Sequence, residues 1–341
     1  MARAFPGRSE DELVPMAGGA STRRYFRVRV AGASAVGMFV PEGAKPEEVT
    51  KDGRPAATSR AQQPRWPFLE VRDLLASRGV DVPTLHAEDT DRGWVLLEDL
   101  GDDTLANYLS ARPSSRESLY VTAVTDLARA QTALASLPAG SIVASRAFDE
   151  ELLRWEIDHF REWALEARGV ALAEDDRRLY AGIAERLARR IASWPQAFVH
   201  RDYQSRNLMV RAGERLCWID FQDALLGPRV YDLVALLNDS YQTFDPAFVD
   251  ARLADYVRAR GLVEEGGRAA EAIRREFDFV TVQRKLKDAG RFVFIDRVKN
   301  NPSFLRFVEP TIAKVRASLA RLADDEDMRA LSDLLGRVLP P

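Results

Sequence analysis

Between Phe198 and Phe221 the chain reads F-V-H-R-D-Y-Q-S-R-N-L-M-V-R-A-G-E-R-L-C-W-I-D-F, and this stretch limits what the rest can fold into. His200, Asp202 and Asn207 form an H-x-D-x-x-x-x-N segment, and a second acid, Asp220, follows thirteen positions after Asn207. Leu208, Met209 and Val210 predict a short apolar strand, Ala212-Gly213-Glu214 a turn, and Leu216 to Ile219 the returning strand. Such a hairpin brings Asn207 and Asp220 back to one end. One carboxylate and one amide oxygen can then share a hard, oxygen-loving cation such as Mg²⁺. Asp202, in the loop before the hairpin, stays free to orient or deprotonate a hydroxyl. That division of labour suits phosphoryl transfer, in which positioning and charge neutralisation dominate the barrier.

The continuation I-D-F-Q-D-A-L-L-G-P-R-V-Y-D-L-V-A-L-L-N-D, Ile219 to Asp239, narrows the reading. With the preceding motif it resembles the protein-kinase-like small-molecule phosphotransferases, the aminoglycoside phosphotransferase and choline kinase group. Within that group it is most similar to the bacterial anomeric kinases of N-acetylmuramate and N-acetylglucosamine. The resemblance extends over Gly18 to Val40, Leu96 to Asp102, Phe198 to Asp239 and Gln283 to Phe307. It implies an α+β, bilobal protein-kinase-like fold with a small β-rich N-terminal lobe and a larger, mainly helical C-terminal lobe. It also implies ATP as phosphate donor, Mg²⁺ on Asn207 and Asp220, Asp202 as catalytic residue, and an amino sugar phosphorylated at C1 in peptidoglycan recycling. His200 braces the loop in this reading, because the family mechanism assigns it no proton.

The chain is long enough for one bilobal enzyme, with 341 residues, 46% of them hydrophobic. A net charge of −3 offers no basic field for nucleic acid or anionic lipid. Neither a signal-peptide core nor a run of bilayer length is present, so a cytoplasmic location is expected. The single cysteine, Cys217, falls in a predicted strand and is expected to be buried and inert. His86, His159 and His200 lack metal-ligand spacing, and His159 beside an apolar stripe is expected to be a packing residue. Oligomeric state is left open by these patterns.

Three strands are expected over residues 13 to 40, the second led by Gly18-Gly19-Ala20-Ser21-Thr22-Arg23-Arg24. A small-residue turn with open backbone N–H groups can cover phosphates, although hairpins in general favour glycine. The resemblance matches this turn to the glycine-rich loop and places Ser21, Thr22, Arg23 and Arg24 at the nucleotide. The third strand, Val36-Gly37-Met38-Phe39-Val40, has no lysine for the α- and β-phosphates. Arg23 or Arg24 is a candidate replacement; the alternative is that both are surface arginines.

Pro41 to Pro67, with five prolines and two glycines, is expected to be a long loop, either over the site's mouth or a tolerated insertion. Phe68, Val71, Leu74 and Leu75 share a helical face ending at Gly79. Trp94 to Leu97 is a strand that stops at Glu98-Asp99-Leu100-Gly101-Asp102. The expected division is residues 1–97, a hinge at 98–101, and 102–341. Glu98 and Leu100 occupy the hinge positions whose main chain meets adenine in the related enzymes. Helical spacing begins at Ser114, and after the central hairpin helices are expected over Tyr231 to Tyr241, Ala247 to Arg260, Arg268 to Ala289 and Pro302 to Leu322. Gln204, Arg206 and Asp223 are the candidates for the acceptor, and Asp232 is expected to cap a helix or brace the loop.

Overall fold

The computed structural model describes residues 11–16, 23–30, 33–41, 65–262 and 268–339. Ser21, Thr22, most of the glycine-led turn and the segment 42–64 lie outside them. The N-terminal lobe is a five-stranded antiparallel sheet in the order β1-β2-β3-β5-β4: β1 Asp11–Pro15, β2 Arg24–Val30, β3 Ala33–Phe39, β4 Leu85–Asp89 and β5 Trp94–Glu98. Strand alternation divides its two faces. Met38, Val95 and Leu97 enter the main core, whereas Val28, Ala35 and Leu96 form a small cluster on the other face. Helix α1, Pro67–Ser77, buries Phe68, Leu69, Val71, Leu74 and Leu75, as its apolar face requires, and Gly79 follows at φ 78°. β4 had no sequence signal. Only Leu85 and Ala87 of its five residues are even half-buried, so its apolar alternation is weak.

The C-terminal lobe is mainly helical: α2 Leu105–Ala111, α3 Arg116–Ala133, α4 Glu150–His159, α5 Glu174–Ala192, α6 Tyr231–Leu237, α7 Pro246–Ala259, α8 Arg268–Lys299, α9 Val308–Arg321 and α10 Glu326–Val338. Two antiparallel pairs are set among them, β6 Gln196–Val199 with β9 Leu225–Pro228, and β7 Leu208–Arg211 with β8 Arg215–Trp218. Helix α8 runs ten residues past the expected stop at Ala289, because Phe292, Val293 and Phe294 continue its buried face. It crosses α4 at Gly290, where an added Cβ would lie 2.3 Å from the His159 carbonyl oxygen. A side chain there would separate the two helices. His159 itself is buried against Trp155, Trp163 and Phe294, the packing role expected of it. Cys217 is also buried, and loss of hydration pushes its thiol up to about 12, well away from thiolate chemistry. Among the described residues no helix is long and apolar enough to cross a membrane.

The two lobes share one core, and polar contacts tie them together. Phe68 of α1 stacks on Phe221 at 5.2 Å, and Glu70 accepts the Ile142 N–H at 2.5 Å. Where the chain leaves β5, Arg27 holds Asp99 (2.8 Å) and Asp102 (2.9 Å). On the other side Arg211 of β7 forks onto Glu98, which also accepts from the Thr84 N–H and hydroxyl. The Arg211 guanidinium, more than any other neighbour, holds the Glu98 carboxyl down at about 2.

Candidate active site

The loop from His200 to Asn207 is built by alternation. His200, Tyr203 and Ser205 point inward and are fully buried, whereas Asp202, Gln204 and Arg206 are turned toward solvent. Each inward residue has an anchor. Tyr203 donates its hydroxyl to the Ala123 carbonyl of α3 (2.9 Å), and Ser205 donates to Asp239 (2.7 Å). His200 Nε2 bonds the Ile219 carbonyl at 3.0 Å, fastening the loop to the far end of the hairpin. Asp232 accepts two backbone N–H groups, those of His200 (2.6 Å) and Arg201 (3.0 Å). Of the two roles expected for Asp232, the structure supports loop bracing. Val230 is the residue preceding α6, and no side chain caps that helix.

The hairpin closes as its pattern requires. Leu208 pairs with Trp218, Gly213 and Glu214 turn at φ 75° and 56°, and the Ile219 N–H donates to the Asn207 carbonyl at 3.0 Å. Asn207 and Asp220 therefore emerge side by side. Asn207 donates its Nδ2 to the Asp202 carbonyl (2.8 Å), which leaves its amide oxygen as the group able to meet a cation. Asp220 adopts φ 63°, a left-handed backbone uncommon outside glycine. Its side chain is open to solvent, yet the protein packed around it partly desolvates it. That desolvation, with the charge of Asp202 next, raises its pKa; a bound cation would reverse both effects.

These donors fit a divalent metal that is held partly by phosphate. Among the described residues no three His, Cys, Asp or Glu are grouped to hold a metal by themselves, and Mg²⁺ commonly takes one or two protein ligands plus phosphate oxygens. Gln222 donates Nε2 to Asp220 Oδ1 at 2.9 Å and lies 3.5 Å from Asp223 Oδ2, so Asp223 stands beside the same opening. Arg206 lies over the Tyr241 ring at 3.7 Å with its guanidinium exposed.

Of the two N-terminal arginines, the structure brings one to this opening. Arg23 hydrogen-bonds Tyr25, and its charge acts on both Tyr25 and Asp220. Arg24, one residue on, is turned to solvent by strand alternation. Glu98 and Leu100 stand at the exit from β5. The Glu98 N–H is engaged by the Thr84 carbonyl (2.9 Å), which removes it from the groups a base could use.

Several residues near the loop were not singled out from sequence. Asp239 reaches Ser205, and Lys314 of α9 donates to the carbonyls of Asn238, Asp239 and Gln242 at the end of α6. Arg284 of α8 donates to the Arg201 carbonyl at 2.9 Å and lies 3.6 Å from Asp202. For Arg284 the signal is a polar run where an apolar helix face is expected: Gln283, Arg284, Lys285 and Lys287 are all buried in α8.

The buried His200 ring is neutral at neutral pH, because desolvation pushes it down to about 4 from an ordinary 6.5. Since the folded value is depressed, its contribution to stability is complete above pH 6.5 and is lost as pH falls toward 4. The urea midpoint should therefore drop across that window, and the drop should shrink in His200→Asn. An unchanged slope in the variant would assign the titration to another group.

The fold matches choline kinase LicA from Streptococcus pneumoniae with a TM-score of 0.58 and 14% identity, covering 93% of this chain and 96% of that one. An N-acetylmuramate/N-acetylglucosamine kinase of Pseudomonas putida is 32% identical over 306 residues, 89% of this chain and 82% of the relative. A protein of the same name from Neisseria meningitidis serogroup B is 31% identical over 343 residues, 95% and 94% of the two chains. Residues 12–272, most of the chain, match the profile of the phosphotransferase enzyme family, and the chain belongs to that family.

Proposed function

We propose that this protein transfers the γ-phosphate of Mg·ATP to the anomeric C1 hydroxyl of N-acetylmuramate and N-acetylglucosamine, in the cytoplasm, as a step of peptidoglycan recycling. The observation that carries the reading is the convergence of Asp202, Asn207 and Asp220 on one opening, in a chain similar along about nine-tenths of its length to kinases of those sugars. Asp202 accepts the proton of the C1 hydroxyl as its oxygen forms a bond to the γ-phosphorus and the bond to the ADP oxygen breaks. An anomeric hydroxyl is more acidic than an ordinary alcohol, so a modest base suffices. The amide oxygen of Asn207 and the carboxylate of Asp220 hold Mg²⁺, which when bound neutralises charge on the phosphates.

Arg23 takes the place of the missing strand lysine, with Ser21 and Thr22 contributing from the glycine-led turn. The hinge is residues 98–101, and the Leu100 N–H and Glu98 carbonyl meet adenine there. Gln204 and Asp223 hydrogen-bond the sugar, and Arg206, held open on Tyr241, pairs with the lactyl carboxylate of N-acetylmuramate.

The test is phosphorus and carbon NMR of the product from each sugar with Mg·ATP. Phosphate on C1 is expected, and methyl glycosides blocked at C1 should be inert. Phosphate on C6, or normal turnover of a blocked sugar, would overturn the anomeric assignment. Turnover of an aminoglycoside or amino alcohol alone would overturn the sugar assignment.

A further inference from the structure

We infer that Arg284, at the middle of α8, is a positioning residue that fixes the direction of the Asp202 carboxylate. The inference rests on the reading of Asp202 as the group that handles the acceptor hydroxyl. Arg201, the residue before Asp202, has φ 80°, a left-handed backbone that a non-glycine residue holds only when its surroundings impose it. The surroundings here are two buried side chains acting on opposite ends of the residue. Asp232 takes the Arg201 N–H at 3.0 Å, and Arg284 Nη1 donates to the Arg201 carbonyl at 2.9 Å. That carbonyl belongs to the peptide linking Arg201 to Asp202, so its orientation sets where the Asp202 side chain leaves the main chain.

The second nitrogen of the same fork, Nη2, lies 3.6 Å from Asp202 Oδ1. Arg284 is itself held rigid. Its side chain is 4% exposed, and its guanidinium lies over the Tyr231 ring at 4.6 Å. A planar fork can serve a carbonyl and a carboxylate at once in a fixed geometry, which the single ammonium of a lysine does less well.

The experiment compares Arg284→Gln and Arg284→Lys in the full chain, with Asp202→Asn as reference and N-acetylmuramate plus Mg·ATP as substrates. Arg284→Gln should lower kcat by about 100-fold, the cost of a small misplacement of a reacting group, with nucleotide affinity retained. Arg284→Lys keeps the charge and loses the fork, so its kcat should fall as well, with the KM for Mg·ATP near that of the parent. In the Asp202→Asn background, Arg284→Gln should change the residual rate little, because the group it positions is gone.

An unchanged kcat in Arg284→Gln, or a fall in kcat matched by an equal loss of nucleotide affinity, would overturn the inference and leave the role of Asp202 standing. Full activity of Asp202→Asn would instead overturn the reading of Asp202 on which the inference rests. Equal losses in the Asp202→Asn and parent backgrounds would reduce Arg284 to a support of the fold.

Discussion

Asp202→Asn is expected to lower kcat by about two to four orders of magnitude, the usual contribution of a positioned acid–base group. Mg·ATP affinity should survive, because the metal donors are on other residues. Asp202 is half-buried on the outward side of its loop, and its neighbours are fastened independently of its carboxylate. Asparagine preserves its size and removes its ability to take a proton. Single-turnover kinetics with saturating nucleotide separates the chemical step from binding. A parallel fall in nucleotide affinity would mean that the loop had moved, and the substitution would then report folding instead of proton transfer.

Asp220→Asn should be the more damaging change, abolishing turnover and sharply weakening Mg·ATP binding together. It removes the carboxylate partner of Asn207 at the hairpin end while leaving the hairpin intact, since Leu208–Trp218 pairing and the Ile219–Asn207 bond do not use that side chain. Calorimetry with undiminished Mg·ATP affinity in the variant would remove Asp220 from the metal site. The raised pKa of Asp220 adds a pH signature. A metal takes the ionised carboxylate, so metal-dependent nucleotide binding should weaken on acidification at a higher pH than for an ordinary aspartate. Desolvation is the first cause of that shift and Asp202 the next, so Asp202→Asn should move the midpoint of the binding curve downward.

The central hairpin was legible because its chemistry is local. Apolar residues at Leu208–Val210 and Leu216–Ile219, around a glycine turn, specify pairing and register within about twenty positions, and that register is the one observed. α1 and the long helices were legible for the same reason, their apolar spacing being a property of contiguous residues. The second pair, β6 with β9, was not. Its strands have four residues each and pair across the whole catalytic hairpin, so neither carries a pattern long enough to recognise. Helix α10 was also unforeseen, although Asp325 caps it and Met328, Leu331, Leu334 and Leu335 form a buried face against its neighbours. Nothing chemical in that segment drew attention to it.

The sequence by itself determined which residues are proposed to carry the chemistry: Asp202, Asn207 and Asp220 sit in one short stretch, and hairpin geometry alone brings the last two together. Tertiary structure decided what holds those groups in place. Asp232, Asp239 and Arg284 are 32, 34 and 83 positions from loop residues they grip, and no local pattern specifies such contacts. It likewise placed Arg23 near enough for its charge to act on Asp220 and turned Arg24 to solvent, because that depends on how the sheet is laid over the helical lobe. The physical reason is range. Propensity and periodicity act over a turn or a strand, whereas a buried charge is tolerated only where distant parts of the chain deliver its partners.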